Sequence, residues 1–282
     1  MKKGWLIYKQ ADAANNQSYI DWFISEAKAQ NIELTLILRE KLQIGVDGTT
    51  FITTYYNKHI LLPDFCVIRV IDPTLQAHFN AQNISCFNDY QTSIICNDKS
   101  ATHIELAKIG VPAVKTFHFD TSKLLDPPLP YPFILKSVNG RSGNQVFLID
   151  NYEKFINVQE NKINNRFIIQ SADVDMGKDL RVFIIGKEII AAVLRENKND
   201  FRANFKLGGT AKLYQLNEDE INMVKKIINH FNFGLVGIDF LINKEGKLLF
   251  NEIEDVVGSR ILSETTDINL LKLYLNHIKR HI

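Results

Sequence analysis

The sequence predicts a chain of mixed α/β and α+β class, with a small parallel unit first and a more antiparallel part after it. Two observations carry that expectation. Strand-like runs alternate with helical periodicity through residues 1–95, and later apolar runs fold back on themselves around short turns near Gly186 and Gly246.

Taken in order, GWLIYK (4–9) and IELTLIL (32–38) read as strands flanking SYIDWFISEAKAQ, where Tyr19, Ile20, Phe23, Ile24 and Ala27 recur at helical spacing. DFCVIRV (64–70), the helix candidate PTLQAHFNAQ and the short strand ISCF complete a parallel unit. KQADAANNQ, after the first strand, lacks the glycines of a dinucleotide-binding turn. DKSATHIELAKI (98–109) predicts a capped helix that stops at Gly110, and DPPLPYPF, with four of the seven prolines, marks a rigid approach to the next strand. Runs 133–138 and 145–149 enclose the loop from Asn139 to Asn144, in which Gly140 and Gly143 flank Arg141 and Ser142. Such a loop can bring backbone N–H groups to an anion, with Lys136 and Arg141 adding positive charge; a plain glycine hairpin is the alternative, favoured by the loop taken alone. RFIIQSA (166–172) follows as a strand, then the hairpin 179–196, the amphipathic helix EDEINMVKKIINHF, and the hairpin 235–254.

Composition narrows the function. The chain has 282 residues, 45% of them hydrophobic, enough for a substantial core and two or three subdomains. With 33 basic and 32 acidic residues, nothing marks a nucleic-acid or membrane surface, and a small-molecule or protein partner is the expectation. Cys66, Cys86 and Cys96 show no CxxC spacing, which suits inert core thiols in a reducing compartment. No stretch has the roughly 20 apolar residues of a membrane span, so a soluble, cytoplasmic protein is expected.

One cluster demands chemistry. NEIED (251–255) ends an apolar strand with carboxylates, and Asp239 stands in the strand before it. If the turn is Glu245-Gly246, or Asn243 to Gly246, Asp239 lies opposite Glu252 or one diagonal away, with Glu254 on the same face. Carboxylates so placed can share one or two divalent ions, and with a phosphate and waters they suit Mg²⁺. The alternative is ordinary pairing with Lys or Arg. Among apolar neighbours such as Leu241, Leu248 and Phe250, the metal reading is the stronger.

Lys99 in NDKSAT, Lys136 in PFILKSVNGRSGNQV, Gln170 in FIIQSA, then GKDLRVFIIG, FRANFKLGGTA, GIDF and NEIE occur in an order that resembles the ATP-grasp carboxylate–amine ligases. The likeness is to the branch holding the ribosomal-protein glutamate ligases and the amino-group-carrier lysine-biosynthesis ligases, and covers roughly residues 90 to 260. It implies an ATP-grasp fold with a pre-ATP-grasp domain at 1–95, a central subdomain with the glycine loop at 96–170 and a C-terminal subdomain with the metal site at 171–282. By the resemblance, ATP lies between the last two. Lys99 and Lys136 meet its phosphates under Gly140, Arg141, Ser142 and Gly143; Ile169, Gln170 and Ser171 meet the adenine; and Lys178 and Asp179 lie near the nucleotide. Asp239, Glu252 and Glu254 hold Mg²⁺, or Mn²⁺ in its place. The family commonly has Asn where Glu254 stands, and DVVGSRIL replaces its usual segment with glycine and proline, leaving the acceptor pocket open.

The implied chemistry is phosphorylation of a substrate carboxylate to an acyl phosphate, which an amine then attacks, releasing ADP and phosphate. Arg181, Arg202 and Arg260 are the candidates for stabilising the anions, with Asn204 on one face with Arg202 if that segment is extended. Arg260 is a candidate for an amino-acid carboxylate. His103 and His230 read as structural. The substrate is expected to be an amino acid or peptide, with a protein or peptide acceptor a second form of partner; the sequence allows a homo-oligomer without fixing one. Two other readings stay open: a nucleotide-binding regulatory module without catalysis, and a phosphotransferase on the same fold.

Overall fold

The computed structural model describes residues 1–121, 124–140, 143, 145–163, 166–203 and 209–282. The first strand β1 (Lys2–Tyr8) runs into two helices, α1 (Gln10–Asn15) and α2 (Gln17–Ala29), and returns as β2 (Ile32–Leu38). A three-stranded antiparallel sheet absent from the expectation follows, made of β3 (Leu42–Asp47), β4 (Thr50–Tyr55) and β5 (Lys58–His59). Its first hairpin turns through Gly48 at φ +57, a conformation glycine adopts without steric cost. Then come β6 (Phe65–Ile68), α3 (Pro73–Asn80), β7 (Ser85–Phe87), α4 (Tyr90–Cys96) and α5 (Lys99–Lys108). The parallel sheet has the order β2-β1-β6-β7. The side chain of Asp98 caps α5 by accepting from the Ala101 N–H, and Gly110 at φ +69 ends its turn, as its sequence predicts.

The central sheet is antiparallel, in the order β10-β9-β11-β8, from β8 (Thr116–Asp120), β9 (Phe133–Ser137), β10 (Val146–Ile149) and β11 (Arg166–Ser171). Helix α6 (Tyr152–Asn161) covers one face, where Phe133, Leu135, Ile149, Phe155, Phe167 and Ile169 form a core. Strand alternation turns Lys136, Ile168 and Gln170 to the other face.

The largest sheet contains β12 (Lys178–Ile185), β13 (Glu188–Glu196), β14 (Thr210–Tyr214), β15 (Leu235–Ile242) and β16 (Leu248–Glu254), in the order β14-β13-β12-β15-β16. Helix α7 (Glu218–His230), which enters through a capping box of Asn217 and Glu220, packs Val224, Ile227 and Ile228 on Leu180, Val182, Ile184, Ile238 and Phe240. The opposite face changes character along its length. Phe183 and Ile185 join a core with Leu6 and Phe65 of the N-terminal sheet, Phe23 of α2, Leu262 of α8 (Arg260–Thr265) and Tyr274 and Leu275 of α9 (Leu270–Arg280). Two and four residues back along β12, the same face carries Arg181 and Asp179. Half of this face is core and half is charged. No helix among the described residues is long and apolar enough to cross a membrane.

Candidate functional site

The charged half-face is built by two register shifts. In the last hairpin the loop is Asn243 to Lys247, because Ile242 pairs with Leu248 and Phe240 with Phe250. This corrects both turns expected from the sequence. A regular ladder from that loop would set Asn251 opposite Asp239 and send Glu252 into the α7 core. A bulge at Asn251 intervenes, and Asp239 pairs with Glu252. A second shift lies between Phe183 and Ile184 and brings Arg195 opposite Asp179, with Arg181 opposite Asp239 on the other side of β12.

These registers assemble a buried ionic network. Arg181 donates from Nε to Asp239 Oδ1 at 2.7 Å and from Nη2 to Oδ2 at 2.6 Å, a bidentate pair. Arg195 donates from Nη2 to the same Oδ2 at 2.8 Å and to Asp179 Oδ2 at 2.7 Å. Arg181 Nη1 also reaches Glu254 at 2.9 Å. Burial alone would raise the Asp239 carboxyl, but the two guanidinium groups outweigh it and hold it at about 2. Burial pushes Asp179 up to about 6, against the pull of Arg195. Glu254 is also raised by burial, with Arg181 opposing and the neighbouring acids adding to the rise.

Above this network stand two lysines. Lys99 donates to the Gly140 carbonyl at 2.6 Å and lies 3.3 Å from Glu252, whose carboxyl it lowers against the effect of burial. Lys136, on β9, is 8% exposed and donates to Asn251 Oδ1 at 2.8 Å. Burial lowers its ammonium to about 8, opposed by Glu252 and reinforced by Lys99. His103 of α5 sits beneath, with Nε2 3.1 Å from the Asn251 carbonyl and 3.2 Å from Gln170 Nε2. Burial, then Lys136 and His118, lower its imidazole to about 4, so it is neutral at physiological pH.

The structure thus brings Lys99, Lys136, Gly140, Arg181, Asp239, Glu252 and Glu254 around one site, with Asp179 beneath them. Gln170 faces it from β11, donating to Thr116 Oγ1 at 3.0 Å; its Oε1 is buried and has no hydrogen-bond partner. The side chain of Ile169 is placed elsewhere, in the α6 core on the opposite face of the central sheet, because strand neighbours alternate. The Ser171 N–H is given to the Lys115 carbonyl. Lys178, half-exposed at the start of β12, faces Asp175 at 3.6 Å and Glu196 at 4.0 Å. Arg202 is held by Asp200 and donates from Nη1 to the Gly143 carbonyl at 2.8 Å, tying the glycine loop to the 200–203 segment. Arg260 is exposed at the first turn of α8. Arg141, Ser142 and Asn204 lie outside the described residues.

Sequence reasoning passes over Arg195 and Asn251, and gives His103 only a structural part. Arg195 carries a signal, a charge directly after the apolar run IIAAVL, but its partner depends on a bulge that no residue announces. Arg181, expected to face an anion, already spends three nitrogens on Asp239 and Glu254.

Asp239, Glu252 and Glu254 each offer a ligand oxygen, all within 4.8 Å of one another. A hard divalent ion takes six oxygens at about 2.1 Å, so its ligands lie roughly 3 to 4 Å apart. A small contraction of the cluster meets that requirement. Asp239 keeps one of its four or so lone-pair sites after three hydrogen bonds, and Glu252 and Glu254 are partly exposed on the open side. The donor set fits such an ion.

Comparison with known proteins places this geometry in context. A model of the RimK-like ATP-grasp domain matches residues 96–278. A probable alpha-L-glutamate ligase of Histophilus somni is 28% identical over 218 residues, covering 72% of this chain and 70% of the relative. The alpha-aminoadipate–LysW ligase LysX of Saccharolobus solfataricus is 28% identical over 247 residues, covering 79% of this chain and 90% of the relative. Among solved structures, a RiPP-associated ATP-grasp ligase of Chryseobacterium gregarium, in complex with ADP and a leader and core peptide, superposes with a TM-score of 0.72 at 14% identity. That match covers 100% of this chain and 98% of the other, and shows a common ATP-grasp fold.

Proposed function

The chain belongs to the RimK-like ATP-grasp family and is an ATP-dependent carboxylate–amine ligase, and we propose that it works through an acyl phosphate, releasing ADP and phosphate. The substrates would be amino acids or peptides, in line with the relatives named for glutamate and alpha-aminoadipate ligation and the neighbour bound to a peptide. The observation that supports this most is the facing of Lys99 and Lys136 on Asp239, Glu252 and Glu254 across one site.

The nucleotide lies between the 96–170 and 171–282 parts of the chain. Gln170 Oε1, a buried acceptor without a partner, suits the amino group of a base. Lys99 and Lys136 meet the phosphates, and a phosphate beside Lys136 restores the proton that burial loosens. Mg²⁺ held by Asp239, Glu252 and Glu254 would offset phosphate charge and fix the terminal group for transfer. Arg181 and Arg195 orient Asp239 and keep it ionised, so the carboxylate needs no reorganisation when the ion arrives. Arg202, through the Gly143 carbonyl, steadies the glycine loop over the phosphates.

The test is ADP release from ATP, measured with and without each member of a panel of amino acids and short peptides, with products weighed by mass spectrometry. Carboxylate-dependent ADP release with an amide product supports the reading. Phosphate passed to an acceptor without ligation points to a phosphotransferase, and nucleotide binding with no turnover to a regulatory module.

A further inference from the structure

Arg69 follows β6 at the carboxyl end of the parallel sheet, and its backbone N–H is given to Ile7 at 2.8 Å. In the order β2-β1-β6-β7 the chain passes from β1 to opposite sides, so the crevice beyond β1 and β6 is the switch point at which open parallel sheets bind ligands. Tyr8, the last residue of β1, accepts from Arg69 Nε at 3.3 Å; Nη2 donates to the Val257 carbonyl at 2.9 Å; and the guanidinium lies over the Tyr19 ring, 5.5 Å from its centroid. Among the described residues Nη1 makes no hydrogen bond and no carboxylate lies within 4 Å of the group. Arg39, Arg166, Arg181, Arg195 and Arg202 each have a carboxylate. A partly buried guanidinium held only by a hydroxyl, a carbonyl and an aromatic face is a costly arrangement unless an anion joins it.

Two further groups face the same crevice. The buried Tyr19 hydroxyl stands near Ser259 without a well-formed hydrogen bond. Ser259 is buried too, and its side chain does not cap α8. Val257, whose carbonyl holds Arg69, packs against Gly237, where an added Cβ would lie 2.7 Å from Val257 Cγ2 and 3.4 Å from the Arg181 Cδ. Val257 is three positions on from Glu254, at most about 10 Å of chain. The unpaired cation therefore stands beside the acidic site, within the length of a small substrate.

We propose that Arg69, with Tyr19 and Ser259, binds a spectator carboxylate of the substrate: the α-carboxylate of a free amino acid or the C-terminal carboxylate of a peptide. The proposal rests on the ligase reading above. The planar guanidinium offers the anion a fork of N–H groups, and the hydroxyls complete its shell. Its reacting partner is left at the metal-binding end.

The test measures ADP release by the wild-type protein with Mg²⁺ and ATP across L-amino acids and dipeptides that carry a side-chain carboxylate, each also supplied as its C-terminal amide, so that a carboxylate to be phosphorylated remains in both forms. The acids should be active and the amides about 10- to 100-fold poorer in kcat/KM, the range of a lost charge-assisted bond. Arg69→Met should raise KM for the acid by a similar factor, change the amide little, and leave ATP affinity alone. Arg69→Lys should fall between, and stands in should the Met variant not fold. The assignment is overturned if Arg69→Met keeps the wild-type KM for the acid, or if the wild type uses the amide as well as the acid. Failure of the ligase reading looks different: the wild type releases no ADP with any compound, and the Arg69 assignment falls with it.

Discussion

Asp239 is the residue on which the site turns, because its two oxygens accept from two arginines while still facing Glu252 and Glu254. Asp239→Asn should therefore abolish turnover and also unfold the protein more easily, by roughly 3–5 kcal/mol, since it strands two buried guanidinium groups. Glu252→Gln is the cleaner probe. Glu252 is partly exposed and among the described residues its ion pair is with Lys99, so denaturation should shift by less than about 1 kcal/mol while Mg²⁺-dependent turnover is lost. Glu254→Asn should keep substantial activity; equal loss there would show a role beyond ligation. Lys136 gives a second test. Its folded value of about 8 lies below the ordinary 10.5, so between those values the unfolded chain holds more protons and stability rises with pH. In nucleotide-free protein, Lys136→Met removes that rise. The stability difference between variant and wild type, by urea denaturation, should move against the variant by about 3 kcal/mol as pH goes from 7 to 10.5. A difference independent of pH would contradict the burial argument.

At the scale of elements, much was legible in the sequence. The strands flanking α2, the capped α5, the hairpin turn at Gly186 and the amphipathic α7 follow from periodicity and punctuation. The grouping of Asp239, Glu252 and Glu254 on one face was also legible, though by a turn the structure does not use. The bulge at Asn251 compensates for the longer loop, and bulges have no residue signature apart from glycine forms. For the same reason the pairing of Arg195 with Asp179 could not be read from spacing. The sheet of β3, β4 and β5 was passed over because its outer face is exposed and mixed, without the apolar runs that mark the other strands. Glycine provides an elemental test. Gly177 at φ +73 lies against the segment that follows β13, and an added Cβ would stand 2.3 Å from the Asn197 carbonyl oxygen. Gly246 has φ +80 but open space around it. Gly177→Ala should cost about 2–4 kcal/mol and disturb Arg202, whereas Gly246→Ala should cost only about 1 kcal/mol. Equal costs in thermal or urea denaturation would show that the 197–203 segment is not pinned there.

For the molecule as a whole, the cores say which parts are bound together. The N-terminal sheet shares one apolar cluster with β12, α8 and α9, while the central sheet and α6 close a core of their own. The site lies where the central sheet, through Lys136 and the glycine loop, meets the large sheet, which supplies the carboxylates and the two buried arginines. On the proposed reading, ATP bound there is cleaved at its terminal phosphate. The most direct test adds hydroxylamine in place of the natural amine, with ATP, Mg²⁺ and the carboxylate found active in the panel. The account predicts a hydroxamate formed with equal ADP, dependent on Mg²⁺ and absent in Glu252→Gln. AMP and pyrophosphate as products, or an adenylated substrate, would contradict it.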